Sequence, residues 1–261
     1  MYNSRLYKKN SKMNLSIPKP PINKTGKELE SLCRKALFDF KMLESAKSLA
    51  IALSGGKDSL TLLFILKAII GFGTPKISLI AIHVEGDFSC GANISNNFLE
   101  KICQEIKVPL IKVKSQKPPK KESELDCYSC SRERRKLIFK TMQENHIETV
   151  AFGHHRDDLT QTLLLNLLQK GEFAAMQPKI KMIRFGTTII RPLIYISEKK
   201  IENFASYYKF LRITCNCPKG AVSKRKETDK LIDLLEKSFP HTRKNLALSA
   251  FLYGSDKALK I

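Results

Sequence analysis

The sequence predicts an α/β protein in which a parallel sheet is covered by helices on both faces. Three observations predict it. Short runs such as Ser48–Leu53 and Ile77–Val84 are apolar throughout, as strands buried on both faces are. Helical patterns alternate with these runs over residues 48–170, the order that βαβ units give. The most polar and glycine-rich turns follow the runs, and ligands of such sheets bind at the carboxyl ends of the strands.

Residues 1–24 are polar, basic and proline-bearing, and are expected to form a flexible N-terminal tail. From Gly26 to Lys47 apolar residues recur at Leu29, Leu32, Cys33, Ala36, Leu37, Phe40 and Leu43, which is helical spacing. Ser48–Leu53 reads as a strand, Leu60–Ile70 as a strongly apolar helix and Ile77–Val84 as a buried strand. Phe98–Ile106 follows as a helix and Pro109–Val113 as a strand. Lys114–Glu124 is a charged loop, after which a cysteine pair opens a helix near Arg132–Asn145. Glu148–Phe152 reads as the fourth strand, and a helix runs from Asp157 to about Leu168. The last 70 or so residues add helices at Glu198–Tyr208 and Glu227–Ser238, then a basic C-terminal tail over 241–261. No repeat divides the chain, so residues 25–240 are expected to act as one domain.

Lys and Arg number 46 against 25 Asp and Glu, a formal net charge of +21. A field of that sign favours polyanions, with counterion release from phosphates as the usual driving force. Hydrophobic residues make up 43% of the chain, enough for a packed core. No apolar run reaches the roughly 18 residues that cross a bilayer, and the N-terminus lacks the apolar stretch of a signal peptide. The expected location is therefore the cytoplasm, where thiols stay reduced. The seven cysteines then point to metal binding or catalysis more than to disulfides. Cys33 and Cys103 fall at apolar helix positions and read as small hydrophobes, as does Cys90.

The sharpest motif is Ser54-Gly55-Gly56-Lys57-Asp58-Ser59, between a strand and a helix. Two glycines allow a tight turn, the N–H groups at the helix start attract an anion, and Lys57 adds a point charge. The spacing is not that of a Walker A loop. Cys127-Tyr128-Ser129-Cys130 places two thiols on one helical turn, suited to a metal or a redox disulfide. No second pair of that spacing exists, but Cys215-Asn216-Cys217-Pro218 follows. Three thiols around a metal with one open position is the reading that fits, with Cys215 and Cys217 as rivals for the third place. Gly153-His154-His155-Arg156-Asp157-Asp158 follows the fourth strand. Its carboxylates serve either as helix caps or as metal and proton ligands.

SGGKDS, CYSCSRERRKLIF, GHHRDDLTQTLLLNLL, RPLIYISEKKIENFA and a late cysteine, in that order, resemble the tRNA 2-thiocytidine synthetases (the TtcA family) of the PP-loop ATP pyrophosphatases. The likeness runs over roughly residues 30–240. It implies a PP-loop fold (adenine nucleotide alpha hydrolase-like), ATP with magnesium, a [4Fe–4S] cluster, and tRNA cytidine 32 as substrate. It implies further that a cysteine desulfurase supplies sulfur, that the protein forms a homodimer, and that no membrane is involved. Carried over residue by residue, Ser54 to Ser59 match the ATP loop, with Asp58 on magnesium. Gly153 and His154 fall in the element beside that loop. Cys127 and Cys130 match two cluster ligands, and Cys215 best matches the third. Asp158 matches the carboxylate that assists the chemistry, and Arg134 a basic position near ATP. The sequence departs from the family at Gln161, where a glutamate is usual. Lysidine synthetases and thiouridine synthetases share the ATP loop. A zinc-containing RNA-binding module would need neither SGGKDS nor GHHRDD, and a GMP synthetase-like enzyme would not need the charge.

Overall fold

The computed structural model describes residues 23–44, 46–85, 96–114, 127–209 and 224–254. The expectations for residues 1–22, Cys90, the charged loop from residue 115 and the Cys215–Cys217 pair lie outside the described residues.

Helix α1 (Lys24–Asp39) begins where the Asn23 side chain accepts the Gly26 N–H at 2.8 Å. It ends earlier than its apolar pattern suggests. Lys41 takes a left-handed backbone (φ 47°), and the Met42 N–H closes back onto the Leu37 carbonyl at 2.9 Å. Strand β1 (Ser48–Ala52) leads into α2 (Lys57–Ile69), which is apolar nearly all round and accordingly buried. There follow β2 (Ser78–Glu85), α3 (Asn96–Glu105), β3 (Leu110–Lys114), α4 (Cys127–Glu144), β4 (Thr149–Ala151) and α5 (Arg156–Lys170).

Next comes a hairpin absent from the expectations, β5 (Lys179–Met182) and β6 (Thr187–Ile190). Its strands are four residues each, too short for a periodic signal, and its turn is closed by Gly186 in a left-handed conformation. Helices α6 (Glu198–Tyr207), α7 (Lys224–Ser238) and α8 (Thr242–Tyr253) complete the order. The last corrects the tail expected over 241–261. Residues 242–253 are a helix that buries Ala247 and Ala250. Phe251 of that helix reaches the rings of Tyr195 and Phe40, at 5.1 and 5.9 Å between centroids.

Among the described residues six strands form one sheet in the order β3-β2-β1-β4-β6-β5, parallel except for β5 at its edge. The predicted class is therefore present, with two strands more than anticipated. One face is covered by the apolar sides of α1, α2, α3, α5 and α6, with Leu63, Ile102, Leu163 and Phe204 almost fully buried. The other is covered by Ile138, Phe139 and Met142 of α4. Cys33 and Cys103 lie inside the first layer. Burial pushes their thiols up to about 12 and about 11, so they behave as the small hydrophobes expected.

Arg243 fastens the last helix. Its guanidinium lies 3.5 Å from Asp157 at the start of α5, and 2.8, 2.5 and 3.4 Å from Asp229, Asp233 and Glu236 of α7. Asp157 is buried, whereas the α7 carboxylates are partly open to solvent. Truncating a partner of a buried charge is costly, but solvent screens the exposed pairs. Arg243→Ala is expected to lower the unfolding free energy by about 1–3 kcal/mol, read from the urea midpoint at neutral pH. An unchanged midpoint would mean that α8 is held by its apolar face alone.

Candidate functional site

The chain runs from β1 to β2 and β3 on one side, then crosses to β4 and β6 on the other. At this reversal, on the carboxyl edge of the sheet, lies a cavity of about 360 Å³. Three segments build it.

The first is the turn from β1 to α2. Gly55 has φ 85°, a conformation glycine adopts without a Cβ penalty. Ser59 Oγ accepts the Gly55 N–H at 3.0 Å and donates to the Gly56 carbonyl at 3.0 Å, and Ser54 Oγ accepts the Gly56 N–H at 3.3 Å. The two serines thus hold the loop's shape. No side chain caps α2 at Gly56, so the start of α2 is left for an anion. Ser54, Gly56, Asp58 and Ser59 line the cavity. Lys57 does not: its Nζ lies 3.1 Å from Asp58 Oδ1 and 2.8 Å from Glu198 Oε1. Burial works against that ammonium, but the two carboxylates outweigh it and hold its pKa above the ordinary value.

The second segment is the turn from β4 to α5. A Cβ on Gly153 would stand 3.0 Å from the Asp58 carbonyl carbon and 3.1 Å from the Ser59 nitrogen, so the two turns touch backbone to backbone. The paired carboxylates that follow divide their work. Asp157 is buried and accepts the Glu198 N–H at 2.7 Å, tying α5 to α6. Asp158 accepts the His155 N–H at 3.0 Å, a cap, and also lines the cavity. His155 is buried, with Nε2 3.5 Å from Asp158 Oδ2 and 3.8 Å from Asp58 Oδ1. The two carboxyls differ. Burial raises the pKa of Asp58, whereas for Asp158 burial is outweighed by His155, His154 and the His155 N–H, and its pKa is lowered. His154 is held far below the usual imidazole range, chiefly by burial.

The third segment is α4 with the end of β2. Ser131, Arg134, Arg135 and Ile138 of α4 line the cavity opposite Phe152. Cys127 opens that helix, and Cys130 is half-buried one turn on, with Arg134 Nη2 3.7 Å from its sulfur. A guanidinium there favours thiolate, the form that binds a metal. His83 of β2 also faces the cavity, and its Nδ1 lies 2.7 Å from the Leu53 carbonyl oxygen. Burial lowers its pKa. Among the described residues, no group of three Cys, His, Asp or Glu side chains is gathered for a metal. His83, Arg135 and Glu198 were not singled out from the sequence. His83 could have been found, since it sits near the carboxyl end of its strand. Glu198 could not, because its link to Lys57 spans 141 residues.

The PP-loop domain family matches residues 23–212. The chain is 34% identical to the tRNA-cytidine(32) 2-sulfurtransferase of Dechloromonas aromatica, over 85% of this chain and 79% of that protein. It is 32% identical to the protein of that name from Idiomarina loihiensis, over 84% and 74%. Among solved structures it is similar to the U34-tRNA thiolase NcsA from Methanococcus maripaludis with its [4Fe-4S] cluster. That likeness has a TM-score of 0.72 and 26% identity, covering 86% of this chain and 78% of the thiolase.

His83 and His154 are kept neutral in the fold, with pKa values below those of the unfolded chain. The unfolded state then binds more protons below about pH 6.5, and stability falls as pH drops through that point. The slope is at most about 1.4 kcal/mol per pH unit for each histidine. Melting curves between pH 7.5 and 5.5 are expected to show this loss, and His154→Gln to flatten it. An equally steep curve in the variant would assign the loss elsewhere.

Proposed function

The chain belongs to the PP-loop proteins and, within them, to the tRNA-cytidine(32) 2-sulfurtransferases, and from that membership we propose how its cavity works. The protein is an ATP-dependent tRNA sulfurtransferase that replaces the C2 oxygen of cytidine 32 with sulfur. One observation carries the assignment of the cavity: the Ser54–Ser59 turn, Asp158 and the cysteine-bearing helix α4 meet around it. Its mixture of apolar walls (Ile82, Val84, Ile138, Phe152) and an uncapped helix start fits an adenine nucleotide.

The C2 oxygen of cytosine is a poor leaving group. It attacks the α-phosphorus of ATP, the bond to pyrophosphate breaks, and the base becomes an O-adenylated intermediate. The loop shaped by Ser54, Gly55, Gly56 and Ser59 holds the departing pyrophosphate at the uncapped backbone N–H groups that open α2. Asp58 and Asp158, both beside His155 Nε2, would supply the hard oxygen donors that magnesium takes. Lys57 positions Asp58 and the start of α6. Asp158, held ionised, accepts a hydrogen bond from the exocyclic amine of the base and so enriches the attacking oxygen. Gly153 keeps the two turns in contact, and His154 walls the pocket as a neutral ring. Sulfur then bonds to C2 and AMP leaves. The target base must leave its stack to reach this point.

The donor set fits an iron–sulfur cluster in its described part: Cys127 and Cys130 lie on one helical turn, with Arg134 beside the sulfur of Cys130. Cys127, Cys130 and Cys215 or Cys217 would hold a [4Fe–4S] cluster, which supplies sulfide at an open iron when bound. The relative with a [4Fe-4S] cluster supports this. The basic positions Lys224, Arg225 and Lys226, exposed at the start of α7, serve the tRNA backbone. A cysteine desulfurase provides the sulfur. A homodimer is part of the same reading, supported by exposed Leu234, Leu252 and Tyr253 on α7 and α8. Among the described residues no helix is long and apolar enough to cross a membrane, and we place the protein in the cytoplasm, where the thiols stay reduced.

The test is thiolation of unmodified tRNA without oxygen, with ATP, magnesium and sulfide, followed by nucleoside mass spectrometry. 2-Thiocytidine is expected only when ATP is present; a thiouridine in its place would move the substrate toward that of the U34 thiolase. Cys130→Ala is expected to lose iron and product together. Asp158→Asn is expected to lose about 100-fold or more in rate while keeping its iron and binding ATP and tRNA within a few-fold. Full turnover by Asp158→Asn would remove the carboxylate from the chemistry.

A further inference from the structure

Arg191 follows directly on β6, where Phe152 donates its N–H to the Ile190 carbonyl at 3.0 Å. It therefore stands at the carboxyl edge of the sheet beside the Gly153–His154 turn. Its own backbone is fixed, with its N–H on the Pro178 carbonyl at 2.9 Å and its carbonyl accepting the Ile194 N–H at 3.1 Å. The side chain is 7% exposed. One nitrogen, Nη1, donates to the Gln177 carbonyl. Nε is buried and finds no hydrogen-bond partner, and no carboxylate lies within ion-pair distance of Arg191 among the described residues. A buried guanidinium normally has an anionic partner, because removing its hydration uncompensated is costly.

The surroundings make this stranger. The charge of Arg135, which lines the cavity from α4, acts on Arg191, as does that of Asp158. Arg225, at the start of α7, acts in turn on Arg135, His154 and Asp158. Arg135, which lines the cavity with His154 and Asp158, and Arg191, which follows β6 beside the Gly153–His154 turn, thus set two guanidiniums near one carboxylate, Asp158, which His155 already engages. His154 Nδ1, buried in the same wall, also lacks a partner. Burial and then Arg135 lower the pKa of Arg191 to about 10, and Asp158 only partly offsets them, so the guanidinium stays charged at neutral pH without an adjacent carboxylate. An orphaned donor on Arg191, a buried and unpartnered ring nitrogen on His154 and a surplus of positive charge describe a place built for a missing anion. Planar guanidiniums suit the paired oxygens of a phosphate.

We propose that Arg191 and Arg135, with His154, form a phosphate-binding site beside Asp158, separate from the Ser54–Ser59 turn. It rests on the reading of the cavity as a tRNA sulfurtransferase site. Two phosphates could reach it: the phosphodiester flanking the reacting nucleotide, or a phosphate of ATP. A phosphodiester held here would fix the flipped nucleotide against Asp158, and the base would meet the adenylating position from the open side of the cavity.

The test uses the full-length, cluster-loaded protein. Affinities for unmodified tRNA at several salt concentrations and for a non-hydrolysable ATP analogue are measured in Arg191→Gln. Arg135→Gln, at the solvent-open mouth of the cavity, carries the test should the buried substitution impair folding. The expected result is tRNA binding weaker by about tenfold, with a salt dependence shallower by about one phosphate and the analogue unaffected. Weaker binding of the analogue with unaltered tRNA binding would assign the same site to a nucleotide phosphate. Both affinities unchanged in a variant of normal melting temperature would overturn the site. If the unsubstituted protein binds neither tRNA nor the analogue, the sulfurtransferase reading fails and the site falls with it.

Discussion

Two turns from distant parts of the sequence press against each other with no side chain between them. The backbone of Gly153 meets that of Asp58 and Ser59 so closely that one added carbon would force them apart. Because β1 and β4 are adjacent parallel strands, their carboxyl ends deliver both turns to the same edge of the sheet. Everything chemical in the cavity depends on this contact. It brings the carboxyls of Asp58 and Asp158 to the same nitrogen of the His155 ring, and it sets the anion-attracting start of α2 against the start of α5.

Around this contact the fold adds a second kind of restraint, made of charge. Asp157 is sealed from solvent and holds the start of α6 by its backbone, while Arg243 brings α7 and α8 to the same carboxylate. Gln161, standing where relatives usually carry a glutamate, donates to Asp229 of α7 at 2.9 Å. That observation gives the departure a physical sense. A second carboxylate facing Asp229 would repel it, whereas an amide donates to it. The helices that follow the Gly153–Asp158 turn are thus fixed in part by Asp157 of the turn itself.

Much of this was legible in the residues. The loop of Ser54–Ser59, the Gly153–Asp158 turn and the CxxC helix are local signals, each fixed by spacing within six residues, and all three border one cavity. The parallel class followed from strands apolar on both faces. What stayed hidden depends on contacts between distant residues. The β5–β6 hairpin is too short for its period to show, and α8 hides behind the basic Arg243 and Lys244 that open it, with only Ala247 and Ala250 buried. Lys57 reads as a phosphate ligand from the motif, yet Glu198 engages it from across the chain. Arg191 opens one of the quoted motifs, but its place beside His154 shows only once β6 is seen to end there.

The antiparallel strand at one margin of the sheet has a consequence for life in a crowded solution. A parallel sheet left open at its margin offers unpaired backbone to any neighbour, and proteins discourage such pairing with charge. Here β5 carries Lys179 and Lys181 at one margin, and β3 carries Lys112 and Lys114 at the other. Lysines at both margins work against strand-by-strand addition of one copy to another, although Lys112 is itself paired with Glu85 and Glu100.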